Sequence, residues 1–193
     1  MTTIFCHSDL TALPARSANV FPVLLYGITD PNLHASIGNA ALPALRRLPT
    51  KPSVQSFDFL SIALAVTAAD TFVDREDAPD RWCRDLKLVV ALCNPIPWLS
   101  VAAELEIALQ FLTGDSWSLD FRPGGRPPPE INERRTKLTI DIPANTDSVA
   151  LFSGGLDSTI GAFDLLARGR NPLLVSHAYR GDSGVQTKVL QHM

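Results

Sequence analysis

The chain has 193 residues, 46% of them hydrophobic and 19% charged, the balance of an ordinary folded protein with room for one large domain or two small ones. Its net charge of −3 argues against a general nucleic-acid or anionic-membrane surface, because such binding rests on accumulated Lys and Arg. The 3 cysteines form no C-x-x-C pair and the 4 histidines are scattered, so these residues give no metal site and a reduced, cytoplasmic compartment fits.

The first ten residues carry no basic, apolar export signal. Residues 3–6 and 20–26 are short runs rich in β-branched and aromatic types and are predicted strands, with Pro22 suggesting an edge position for the second. Residues 31–47 suit a helix interrupted by Gly38 and Pro43. From 54 to 72, Phe57, Leu60, Ile62, Leu64 and Val66 in an alanine-rich setting predict a mostly buried helix, with Ser53 near its start. Its longest apolar stretch, 61–69, is far shorter than the roughly 20 residues of a membrane span.

A charged turn at 74–80 precedes a predicted strand that Trp82 opens and that runs through Arg84 to Leu92, in which Leu86, Leu88 and Val90 share a face. Residues 98–113 place Leu99, Ala102, Leu105, Ile107, Ala108, Phe111 and Leu112 at helical spacing, and Gly114 is positioned to cap that helix. Residues 117–121 alternate as a half-buried strand does. The sharpest change of composition follows: 122–135 holds Pro123, Gly124, Gly125, Pro127, Pro128 and Pro129 with four arginines, and reads as a stiff, exposed connection. The expected organisation is an N-terminal α+β domain over 1–122, a Pro/Gly/Arg-rich linker over 123–136, and the start of a parallel-sheet α/β domain over 137–193.

In that last part, strands are expected at 137–142, 148–152 and 172–176, with a helix over 158–167 stopped by Gly169. Between strand and helix stands Ser153-Gly154-Gly155-Leu156-Asp157-Ser158-Thr159. A buried strand ending in two glycines before a helix aims backbone N–H groups and the positive end of the helix dipole at one spot, which suits an anion. Gly154 and Gly155 would let the backbone approach a ligand closely, and the hydroxyls of Ser153, Ser158 and Thr159 are short donors. Asp157 would repel phosphates unless a cation lay between, so its presence suggests bridging Mg²⁺. The alternative is a plain strand, Gly-Gly turn and helix cap.

The chain contains neither G-x-x-x-x-G-K-[ST] nor G-x-G-x-x-G. The 153–159 motif resembles the PP-loop, S-G-G-x-D-S/T, of the N-type ATP pyrophosphatases. That resemblance implies an adenine-nucleotide fold, with Ser153, Gly154, Gly155, Leu156, Asp157, Ser158 and Thr159 around the phosphates of ATP, Asp157 on Mg²⁺, and Asp157 and Ser158 acting in catalysis. The chemistry it implies is adenylation of a carboxylate with release of pyrophosphate, then attack by ammonia or an amine. Leu-Asp-Ser-Thr at 156–159 and His-Ala-Tyr-Arg-Gly at 177–181 look most like the 7-cyano-7-deazaguanine synthases, which act on a deazaguanine acid. His177 departs from the acidic residue those enzymes carry there.

Such synthases begin almost directly with their loop, whereas here 1–136 precede the loop-bearing domain. Within that region, Ala68-Ala-Asp-Thr-Phe-Val-Asp-Arg75 and Phe111-Leu-Thr-Gly-Asp-Ser-Trp117 look like the N-terminal region of the synthase-like component of Qat anti-phage defence systems, implying a protein partner. Two strands are few for a nucleotide-binding sheet, so the chain is expected to be the N-terminal portion of a longer protein. Any zinc, which the related synthases hold through a cysteine cluster, is expected only in a later part. The rival expectation is a non-catalytic partner-binding or nucleotide-sensing module.

Overall fold

The computed structural model describes residues 1–30, 34–131, 142–176 and 183–191. The chain divides into two compact units, Met1–Thr139 and Ile140–Met193.

Unit 1 is built on five strands, β1 (Thr2–His7), β2 (Val20–Leu25), β3 (Ala35–Ile37), β4 (Asp85–Leu92) and β5 (Ser116–Pro123), in the order β3-β2-β1-β4-β5. Every pairing is parallel, so this region is α/β and the expected α+β arrangement is corrected. The physical reason is that β1 reaches β2 through residues 8–19 with only a 3₁₀ turn at Leu10–Ala12, a crossover lacking the helix that ordinarily marks a parallel pair in sequence.

Pro22 is also not on an edge strand: β2 lies between β1 and β3. Thr3 N–H donates to Asn19 O at 2.8 Å, so residues 19, 21 and 23 turn their polar groups to β1 and Pro22 turns away from it. On that side β3 pairs only from Val23 to Leu25, so the imino acid lies beyond the end of the ladder. Within 31–47, Ala35–Ile37 is strand and Ala41–Leu45 a short helix, α1, whose Pro43 falls in the first turn where no N–H is required.

Helix α2 (Val54–Phe72) has the predicted limits, and Ser53 Oγ accepts from Ser56 N at 3.0 Å to cap it. Phe57, Asp58, Ser61, Ile62, Ala65, Ala68 and Ala69 form its buried stripe, and the small alanines let its backbone lie close to the sheet. The helix is therefore amphipathic and less buried than its composition suggested. Apolar residues at alternate positions, Ile4 and Cys6, Val23 and Leu25, Leu86 to Leu92, Trp117 and Phe121, complete the core beneath it. The predicted 98–113 helix is two pieces, α3 (Ile96–Leu99) and α4 (Ala102–Thr113), and Gly114 ends α4 in the left-handed conformation at φ 74°.

The two N-terminal segments singled out in the sequence meet around one carboxylate. Asp115 is fully buried; it accepts from Arg84 Nη2 at 2.6 Å, Arg84 N at 3.0 Å and Arg75 Nη1 at 2.9 Å. Arg84, itself 3% exposed, also donates to Asp70 Oδ1 and to Val73 O, both at 2.8 Å. This cluster ties the end of α2 to the starts of β4 and β5.

Residues 123–131 are not a free linker: Pro128 and Pro129 are buried and Glu130 pairs with Lys51. Cys6 is buried in the sheet, which pushes its thiol far up from the ordinary range, while Cys83 and Cys93 are exposed. Brief alkylation of the native protein at mildly alkaline pH should modify Cys83 and Cys93 and spare Cys6, as read by peptide mass spectrometry; modification of Cys6 at a comparable rate would contradict this packing.

Unit 2 contains β6 (Ser148–Leu151), α5 (Leu156–Ala167), β7 (Pro172–Val175) and α6 (Ser183–Gln191), with β6 and β7 paired in parallel. The strand expected at 137–142 falls almost entirely outside the described residues, as does the 177–182 segment. Gly169, at φ 73°, follows α5 as predicted. No helix among the described residues is long and apolar enough to cross a membrane.

Candidate functional site

The 153–159 loop sits where β6 ends and α5 begins. Phe152, 2% exposed, anchors its start: its N–H donates to Val175 O at 2.9 Å and its carbonyl accepts from Ser176 Oγ at 2.7 Å. Gly154 then turns the chain at φ 77°, a conformation that strains any side chain with a Cβ. A Cβ there would also lie 3.1 Å from Gln186 Cα, so the loop and α6 approach as closely as a glycine permits.

Thr159 N–H makes the first bond of α5, to Gly155 O at 3.1 Å. The N–H groups of Leu156, Asp157 and Ser158 therefore have no acceptor within the helix, and the helix dipole adds positive potential at that end. The hydroxyls do something more local than the sequence suggested. Thr159 Oγ1 and Ser158 Oγ both donate to Gly155 O, at 2.8 and 3.0 Å, and Ser153 Oγ accepts from Gly155 N at 3.3 Å. Ser153 and Ser158 are further joined Oγ to Oγ at 3.1 Å. These contacts hold the turn in shape.

Leu151, Phe152, Ser153, Asp157, Ser158 and Val175 line an open cavity of about 410 Å³ beside the loop. Of the seven residues expected from sequence, Ser153, Asp157 and Ser158 face this space. Gly154 and Gly155 shape the backbone, Thr159 braces it, and the Leu156 side chain is 75% exposed. Comparison with protein-family models, curated proteins and solved structures finds no match.

Sequence reading missed Phe152 and Val175 as walls and Gln186 as the neighbour of Gly154. The available signal was position: the carboxyl ends of parallel strands are where ligands enter an open α/β sheet. His177, at the second strand's end, lies outside the described residues.

The Asp157 carboxylate is exposed and accepts no hydrogen bond among the described residues. No three His, Cys, Asp or Glu side chains among those residues gather to hold a metal. A single carboxylate, Asp157, is what the described residues around this cavity offer a cation. That suits Mg²⁺, which commonly takes one or two carboxylates, several waters and the phosphates of a bound nucleotide.

Proposed function

We propose that unit 2 binds the phosphates of ATP with Mg²⁺ at the 153–159 loop, and that the protein is an ATP-pyrophosphatase-type synthase. Its substrate would be a small carboxylate of the deazaguanine-acid kind, later attacked by ammonia or an amine. The observation that carries this reading is the joint placement, among the described residues, of helix N–H groups without acceptors and a carboxylate without a hydrogen-bond partner at one cavity. N–H groups alone would serve any anion. Adding Asp157 selects for an anion that arrives with a cation.

ATP would supply an electrophilic α-phosphorus and a pyrophosphate leaving group. The N–H groups of 156–158 would stabilise charge as it grows on that leaving group, which needs no general base from the loop. Asp157 would hold Mg²⁺, and Ser158, braced by Gly155 O and Ser153 Oγ, would orient the loop against the phosphates. A setting in anti-phage defence rests on the resemblance of the two N-terminal segments.

A protein partner for unit 1 is favoured by the outer face of α4, where Ile107, Phe111 and Leu112 are 67%, 88% and 75% exposed. That face also supports the second reading, a partner-binding module with a nucleotide sensor.

ATP–pyrophosphate exchange distinguishes the two. The synthase reading expects exchange that requires both Mg²⁺ and 7-carboxy-7-deazaguanine. ATP binding without acid-dependent exchange would favour the sensor, and no ATP binding at all would defeat both uses of the loop.

A further inference from the structure

Unit 1 contains a second cavity, of about 300 Å³, lined by Arg16, Phe21, His34, Ala35, Ser36 and Phe72. It lies at the amino end of β2 and β3 and beside the last residue of α2, and it includes none of the 153–159 residues. His34 is among its lining residues, and neither the Arg16 guanidinium nor the Ser36 hydroxyl has a hydrogen-bond partner among the described residues. A cavity with apolar walls and a few convergent polar groups is the usual form of a small-molecule site.

The groups present also restrict the ligand. Arg16 Cζ lies 4.8 Å from the Phe21 ring centroid, so one face of the guanidinium is occupied and its planar N–H fork remains for bidentate contact. Phe21 and Phe72 supply apolar walls. A simple role for Arg16 in offsetting the carbonyl end of α2 is unnecessary, because Arg84 already donates to Asp70 O and Val73 O there. That same carbonyl end disfavours a doubly charged ligand.

We propose that this cavity binds a small monocarboxylate with an apolar, ring-sized body. The carboxylate pairs with the Arg16 fork and lies within reach of His34 and Ser36, while the body rests between the two phenyl rings. A volume of about 300 Å³ is at the small end of ligand sites, which fits a single-ring acid.

The test uses the full chain and follows histidine ring signals by NMR, with the His34 signal assigned by its loss in His34→Gln. Three probes are titrated: benzoate, its neutral isostere benzamide, and phenyl phosphate. Benzoate is expected to shift the His34 signal saturably, benzamide to do so far more weakly, and phenyl phosphate to bind no more tightly than benzoate. Arg16→Gln should weaken benzoate binding by about tenfold or more, the scale of losing a charge-assisted bidentate contact. Arg16→Lys, which keeps the charge and removes the fork, should weaken it too. Arg16 is exposed, so both variants should keep the wild-type urea midpoint. No saturable shift with benzoate, equal response to benzamide, or unchanged affinity in both Arg16 variants would overturn the proposal. Tighter binding of phenyl phosphate would overturn the carboxylate assignment.

Discussion

Asp115→Ala is expected to destabilise unit 1 by about 3–5 kcal/mol, the range for leaving a buried charge without its partner. The side chain removed is fully buried, and Arg84, 3% exposed, would keep a guanidinium with only Asp70 and main-chain carbonyls to meet it. Urea denaturation followed by tryptophan fluorescence measures this, because Trp117 is one residue past the adjacent Ser116 and belongs to the same core. The paired replacement Arg84→Met with Asp115→Leu should recover much of the loss, since neither charge is then buried alone. Arg75, 34% exposed, can turn to water. A loss below about 1 kcal/mol for Asp115→Ala would show that the cluster is solvated, as exposed ion pairs are.

The same carboxylate sets a pH dependence. Burial pushes the Asp115 carboxyl up, but hydrogen bonds from Arg84 and the charges of Arg84 and Arg75 outweigh it, and the net shift is downward. A carboxyl that titrates lower when folded than its unfolded value of about 3.9 contributes its full stabilisation above that value. The contribution is then lost as pH falls through the folded value. Wild-type stability should drop below about pH 4, and the drop should be smaller in Asp115→Ala.

The second large effect is expected in function with little change in fold. Asp157→Asn should lower acid-dependent ATP–pyrophosphate exchange by at least about a hundredfold, the scale of removing one electrostatic contact from a transition state. It should also raise the Mg²⁺ concentration needed for half-maximal exchange. Since Asp157 is exposed and in the first turn of α5, its contribution to stability is limited to a favourable dipole interaction of about 0.3–1 kcal/mol. Exchange that survives Asp157→Asn at ordinary Mg²⁺ would remove the metal-bridging role.

What the sequence made legible was chiefly local. Helix α2 could be delimited because Ser53 caps it and its apolar residues recur over five turns, and Gly114 marked the end of α4 because only a glycine readily turns left-handed there. The 153–159 loop was readable for the same reason: its glycines, hydroxyls and carboxylate are contiguous. Three-residue β3 was not, because so short a strand cannot display alternation. Parallel pairing in unit 1 was hidden by a β1–β2 crossover without an α-helix. The Asp115 cluster was hidden by distance along the chain, since Arg84 and Asp115 are 31 residues apart and each alone looks like a surface charge beside a strand. The roles of Ser158 and Thr159 in bracing Gly155 depended on rotamers that residue types alone do not specify.

Just beyond β5 the backbone stays close to the end of its parallel neighbour β4. Gly125 N–H donates to Leu92 O at 3.0 Å, and a Cβ on Gly125 would fall 2.5 Å from the Leu92 carbonyl carbon. The atoms met there are main chain, so a residue with a Cβ does not fit unless the backbone moves. A side chain at 125 would have to lift the segment that follows β5 away from the end of β4, and the hydrogen bond to Leu92 O would be lost with it.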